Sequence, residues 1–131
     1  MISLDIIRQN PQLVQEAAKN KNRVVDVKLI LELDEKRRAL ILEVDAIRKE
    51  RNDVAKKPLS DEVKLQGTQL KETLKIKEGL LRDVEALLET EMLRVPNIPL
   101  DEVPVGHDER DNVVIKTVGT IPTFSFTPRS H

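Results

Sequence analysis

The sequence predicts a mainly α-helical fold dominated by one long antiparallel two-helix coiled-coil hairpin. Its chief evidence is a set of mostly aliphatic positions that recur at alternating spacings of three and four on both sides of Pro58, the a/d pattern of a coiled coil. The set comprises Ile30, Leu33, Arg37, Leu40, Val44, Ile47, Arg51 and Val54, then Val63, Gly67, Leu70, Leu74, Lys77, Leu81, Val84 and Leu88. If the chain folds back at Pro58, paired residues have numbers that sum to about 117 or 118, and nearly every layer is aliphatic.

Composition is the second observation, and it favours a helical arm over a compact enzyme. The chain has 131 residues, 34% of them charged, with no Cys, Trp or Tyr, and its aromatic residues are Phe124 and Phe126. A two-helix seam encloses no roomy pocket, which argues against a self-contained active site. No stretch approaches the roughly 18 apolar residues of a membrane span, so we expect a cytoplasmic protein without a membrane partner.

We expect a single domain over residues 1–131, with a short-helix base at 1–26, a coiled-coil arm at 27–95, and a connector with short strands at 96–131. Ser3 is suited to cap a short first helix, and Asn10-Pro11 reads as an N-cap followed by proline at the first helical position of a second helix. This second helix is predicted to end near Asn20.

The two long helices are predicted over about residues 27–57 and 60–95. Asp61 and Glu62 suit the positive N-terminal dipole of the second long helix. Pro96 and the prolines after it forbid its continuation. A loop follows, and residues 113–118 and 123–126 alternate like two strands around a turn, which predicts a short C-terminal β-hairpin.

Charged residues occupy three positions of the seam, Arg37, Arg51 and Lys77. Arg37 and Lys77 are expected to lay their aliphatic stems on the seam and hold their charges in water. Arg51 faces Gly67 in the inferred register, so its stem could lie across the space that glycine leaves. Packing alone and the binding of a phosphate by the guanidinium group both stay open for Arg51.

Charge is distributed unevenly along the hairpin, although the net charge is only -1. Residues 46–77, around the tip, contain nine basic and five acidic residues, a net charge of +4. Residues 78–112 contain three basic and ten acidic residues, a net charge of -7. This pattern fits either a solvated coiled-coil surface or a tip that binds a polyanion. A nucleic acid would be bound through phosphates, because the arm has no aromatic ring on which to stack a base.

Motifs for catalysis are missing from the sequence. It has no glycine-rich phosphate loop, no cysteine and no HExxH motif, and His107 and His131 have no recognisable partners. We therefore predict no catalytic residue, cofactor site or metal site in this chain.

Several segments resemble a known family, the bacterial-type seryl-tRNA synthetases. They are MISLDIIRQNPQLV at residues 1–14, LDEKRR at 33–38, IRKERN at 47–52, RVPNIP at 94–99, VPVG at 103–106, DNV at 111–113 and FTPRSH at 126–131. The resemblance implies the N-terminal tRNA-binding arm of the synthetase, cut before its class II catalytic domain. In that family the arm lies against the long variable arm of serine tRNA. ATP and Mg are then expected only in the absent catalytic domain, through which the parent protein would form a homodimer.

Ten basic residues are the candidate tRNA-binding residues under this hypothesis. They are Arg37, Arg38, Arg48, Lys49, Arg51, Lys56, Lys57, Lys64, Lys71 and Lys75. Not all of them can face one side of the hairpin. The alternative function is a protein-interaction or chaperone-like helical hairpin, which would use exposed apolar residues at the tip, where the sequence offers Leu59 and Leu65 among lysines.

Overall fold

The computed structural model describes residues 2–129 of the chain. Met1, which opens the first resembling segment, and Ser130 and His131, which close the last, lie outside the described residues. Within them the chain forms four α-helices and one short 3-10 turn at Glu109–Asp111. The helices are α1 (Leu4–Gln9), α2 (Pro11–Asn20), α3 (Val27–Ala55) and α4 (Asp61–Met92). None of these helices is both long enough and apolar enough to cross a membrane.

Two short helices begin the chain where the sequence predicts them. The Ser3 hydroxyl accepts a hydrogen bond from the Ile6 amide at 3.4 Å and so caps α1. Pro11 occupies the first turn of α2, but the Asn10 side chain before it makes no capping hydrogen bond. Proline has no amide hydrogen and its fixed φ suits the first helical turn, so α2 begins here without that cap.

Both long helices end slightly earlier than predicted. Helix α3 ends at Ala55 instead of residue 57, because Pro58 disfavours helical backbone in the residue before it. Helix α4 begins after Ser60, whose hydroxyl accepts a hydrogen bond from the Val63 amide at 3.2 Å. Helix α4 ends at Met92, four residues before Pro96. At a rise of 1.5 Å per residue, each helix is about 45 Å long.

A buried seam joins α3 to α4, as the a/d pattern predicts. Ile30, Leu40 and Val44 of α3 are buried, as are Leu74 and Val84 of α4. An ion pair also links the two helices, with Lys77 Nζ 2.6 Å from Glu43 Oε2. Burial of a Leu or Val side chain contributes roughly 1.5–3 kcal/mol, so the seam is the main source of stability for the hairpin.

A second apolar cluster lies at the root of the hairpin. Ile7 of α1 and Val14 of α2 are fully buried there, against the start of α3 and the end of α4. The buried members of the cluster are Ile2, Ile7, Val14, Ala18, Val25, Val27, Ile30, Leu88, Met92 and Val95. The short helices are therefore fixed to the arm by burial of apolar side chains.

The predicted C-terminal β-hairpin is wrong. Residues 2–129 contain no strand, and the two segments expected to pair are irregular although Gly119 does bend the chain, with φ at +87°. Ile115 is 97% exposed and Ile121 is 93% exposed, so neither face of the alternating pattern is covered. A two-stranded hairpin alone is at best marginally stable, and an alternating pattern forms strands only where another layer buries one face.

Candidate nucleic-acid interface

Contacts between the long helices define two edges of the hairpin. On one edge, Arg48 Nη2 lies 2.8 Å from Glu78 Oε1. On the other edge, Gln66 Nε2 donates a hydrogen bond to Glu50 Oε1 at 3.4 Å. Side chains seven residues apart share one stripe of a coiled-coil helix, so the position of any other side chain follows from these contacts.

Five of the ten candidate residues lie on the edge marked by Arg48 and Glu78. Lys64 and Lys71 share the Glu78 stripe at heptad spacing, and Lys75 lies one turn beyond Lys71 on the same side. Arg38 contacts Asp34, which lies on the Arg48 stripe two heptads earlier. We call this set the basic edge, and it consists of Arg38, Arg48, Lys64, Lys71 and Lys75.

The other five candidates do not face this edge. Arg37 and Arg51 occupy seam positions, and Lys49 lies on the outer face of α3 by its heptad position. Lys56 and Lys57 follow the end of α3, in the turn that leads to Pro58. The structure therefore divides the candidates between one edge, the seam, the outer face and the tip.

Some basic side chains already have acidic partners. Arg48 contacts both Glu78 and Asp45, the latter at 3.6 Å, while Lys56 contacts Asp53 and Lys64 contacts Asp61. Such exposed pairs contribute about 0–1 kcal/mol, so an incoming phosphate can displace them. Among the ten candidates, the exposed side chains that form no ion pair in the described part of the chain are Lys49, Arg51, Lys57, Lys71 and Lys75.

A buried carboxylate at the root of the basic edge collects three arginines. Asp34 is fully buried, and its Oδ1 accepts a hydrogen bond from Arg37 Nη2 at 3.2 Å. Its Oδ2 lies 3.2 Å from Arg38 Nε and 3.4 Å from Arg8 Nε. Arg37 is only 27% exposed, so its charge is held by Asp34 instead of lying in water as predicted.

Sequence reasoning missed Arg8 as a member of this cluster. Arg8 lies on α1 and Asp34 on α3, so no local spacing connects them. The available signals were the position of Arg8 inside the first apolar stretch and the placement of Asp34 three and four residues before two arginines. That spacing places the Asp34 side chain beside Arg37 and Arg38 on one helical face.

The packing of Arg51 over Gly67, one of the two interpretations left open by the sequence, is not present. No heavy atom of another residue lies within 4 Å of the point where a Gly67 Cβ would stand, apart from its neighbours and its own helix backbone. Arg51 is exposed. Its stem therefore does not fill the space at Gly67, and its guanidinium group is accessible to a ligand.

Comparison with known proteins gives one family. The profile of the family described as seryl-tRNA synthetase N-terminal domain matches residues 1–99. A serine-tRNA ligase from Dehalococcoides mccartyi is 42% identical over 132 aligned residues, which cover 100% of this chain and 32% of the relative. A serine-tRNA ligase from Deinococcus radiodurans is 43% identical over 134 aligned residues, covering 98% of this chain and 32% of the relative.

A solved structure shows the same similarity in three dimensions. The crystal structure of seryl-tRNA synthetase from Pyrococcus horikoshii, complexed with ATP, superposes with a TM-score of 0.72 and is 30% identical in sequence. The match covers 86% of this chain and 28% of that protein. The chain thus spans about a third of the length of the curated relatives that it matches.

Proposed function

The chain belongs to the seryl-tRNA synthetase N-terminal domain family, and from that premise we propose that its helical hairpin binds serine tRNA along the basic edge. The observation that carries this proposal is the family match over residues 1–99. Within the matched residues, the long hairpin has five cationic side chains on one edge. The family membership confirms the resemblance read from the sequence. It also favours an RNA-binding arm over a chaperone-like hairpin.

The chemistry of the arm favours contacts to the sugar-phosphate backbone. Lysine and arginine side chains bind phosphate oxygens through charge-assisted hydrogen bonds. The hairpin contains no aromatic residue, so unpaired bases have no ring on which to stack. An arm of this composition recognises the shape and charge of an RNA duplex, and the long variable arm of serine tRNA is the duplex that we propose.

Charge along the hairpin supports one orientation of the RNA. The tip half carries a net charge of +4, whereas residues 78–112 carry -7. An RNA backbone is therefore attracted most strongly to the outer half of the arm and is repelled from the acidic residues of the second half of α4 and the start of the connector. Contacts to three to five phosphates would give a slope of about -2 to -5 in a plot of log affinity against log salt concentration.

The activity of the complete protein is part of the same proposal. Because the relatives are named serine-tRNA ligases, we propose that this domain delivers serine tRNA to a class II catalytic domain. That domain would bind ATP and Mg and join serine to the tRNA. The homodimer and the cytoplasmic location implied by the resemblance belong to this parent protein.

A charge-reversal experiment tests the basic edge. The double variant Lys71→Glu with Lys75→Glu changes the edge by four charges while both positions stay exposed on α4. The matched control, Lys28→Glu with Lys36→Glu, makes the same change on α3 away from this edge. We expect the first variant to abolish serine tRNA binding in fluorescence anisotropy and the control to retain most of it. Equal affinities for the two variants would refute docking along the basic edge.

A further inference from the structure

The cluster around Asp34 holds more positive charge than its carboxylate requires. One carboxylate is neutralised by one guanidinium group, yet Arg8, Arg37 and Arg38 all lie within 3.4 Å of Asp34 oxygens. Asp5 contributes one further negative charge, 3.0 Å from Arg8. The five groups together therefore keep a net charge of +1.

Each of the three arginine side chains is partly open to solvent, although Arg37 Nε is buried. The Arg38 side chain is 52% exposed, Arg8 is 36% exposed and Arg37 is 27% exposed. Arg38 Nε lies 3.2 Å from Asp34 Oδ2, an ion pair outside hydrogen-bond geometry, since this buried oxygen accepts no hydrogen bond within residues 2–129. A guanidinium fork held near a carboxylate by charge, with its terminal nitrogens still available, can bind a phosphate through two parallel hydrogen bonds.

The cluster also lies in line with the rest of the basic edge. Asp34 is two heptads before Arg48 on one stripe of α3. Arg38 is ten residues from Arg48, which corresponds to about 15 Å along the helix. A nucleic acid that follows the basic edge from the tip therefore reaches Arg38 at the root.

We propose that Asp34 is a positioning residue that holds Arg8 and Arg38 as a preorganised phosphate site at the root of the arm. The site takes one backbone phosphate of the bound RNA, and Arg8 supplies its contribution from α1. Asp34 does not touch the RNA, but it fixes the guanidinium groups before binding, which lowers the entropy lost on association. This inference rests on the proposed function and adds a second contact region, distant from the tip.

The first test removes one fork and compares it with a neighbouring charge. The Arg38→Gln variant keeps the contacts of Arg8 and Arg37 with Asp34, so the Asp34 carboxylate remains paired. Lys36→Gln removes the same charge from the same helix, two residues away and off the basic edge. We expect Arg38→Gln to weaken serine tRNA binding by about tenfold at low salt and to make the salt slope shallower by about one unit. The Lys36→Gln variant should change the tRNA affinity and the salt slope much less.

The second test separates positioning from charge by the sign of its effect. Asp34→Asn raises the net charge by one, so simple electrostatic attraction predicts tighter RNA binding. Loss of positioning predicts weaker binding and a shallower salt slope despite the added positive charge. Far-UV circular dichroism shows whether each variant keeps the helical content of the unaltered chain.

The outcomes discriminate between the two proposals. Equal losses for Arg38→Gln and Lys36→Gln, or tighter binding by a folded Asp34→Asn variant, would overturn the phosphate site while leaving the arm as an RNA-binding element. No binding by the unaltered chain would refute the proposed function and the site together. Should Asp34→Asn lose its helical content, the comparison of Arg38→Gln with Lys36→Gln decides alone.

Discussion

Replacing the two helical glycines of α4 by alanine is expected to stabilise the hairpin. Gly67 and Gly79 both lie inside α4, where glycine costs about 1 kcal/mol relative to alanine because its backbone loses more conformational freedom on folding. An added Cβ meets no neighbouring heavy atom within 4 Å at either position. Each substitution should therefore give the full gain in helix propensity of alanine over glycine, without a penalty from overpacking.

The size of this effect follows from the helix and from the length of the chain. The glycines are twelve residues apart, about 18 Å along α4, so their contributions should add to about 2 kcal/mol. With an unfolding entropy of about 2.1 cal/mol/K per residue, each substitution should raise Tm by about 4 °C. Circular dichroism at 222 nm during thermal unfolding measures the shift.

Two further glycines and one alanine serve as controls for this prediction. Ala86→Gly, at an exposed position of the same helix, should lower stability by about 1 kcal/mol. Gly119→Ala should give no gain, because φ is +87° there. A Cβ at Gly106 would overlap the Asp111 side chain, so Gly106→Ala should not stabilise either. A fall in Tm for Gly67→Ala or Gly79→Ala would refute the open packing on which the prediction rests.

Three other substitutions test separate parts of the fold. Ser60→Ala removes the hydroxyl that caps α4 at the Val63 amide and should lower the free energy of unfolding by about 0.5–2 kcal/mol in urea titration. Ile7→Ala empties a fully buried position and should cost about 2–5 kcal/mol by the same assay, and a cost below 1 kcal/mol would show that α1 is not fixed to the arm. Hydrogen bonds from the Arg110 side chain and amide lower the pKa of Asp108, so Arg110→Gln should raise that pKa in an NMR titration of the carboxyl carbon. Because the folded-state pKa lies below the ordinary value, the contribution of Asp108 to local order is present above that value and is lost as pH falls through the lowered pKa.

Local periodicity explains why the hairpin could be predicted from the sequence. Heptad spacing fixes which residues share a stripe, and Ile30, Val44 and Val84 are buried as the spacing requires. The same reasoning failed at residues 113–126, because alternation states which side chains share a face but not whether anything covers that face. Without a covering layer, Ile115 and Ile121 remain exposed.

The candidate site was predictable in part for the same reason. The spacing of Lys64, Lys71 and Lys75 indicates a common side of α4, whereas the pairing of that side with Arg48 depends on the fold. Arg8 could not be connected to Asp34 from spacing, because the contact joins α1 to α3 across the base of the molecule. Contacts between distant segments of the chain are decided by packing, which a local pattern does not contain.

Binding of serine tRNA with and without its long variable arm is the measurement that tests the central proposal most directly. Fluorescence anisotropy of the labelled tRNAs, titrated with the 131-residue chain at low and moderate salt, gives both affinities. We expect salt-sensitive binding to the complete tRNA and loss of that binding when the variable arm is deleted. Equal affinity for the two RNAs would contradict recognition of the variable arm and would reduce the basic edge to general attraction for polyanions.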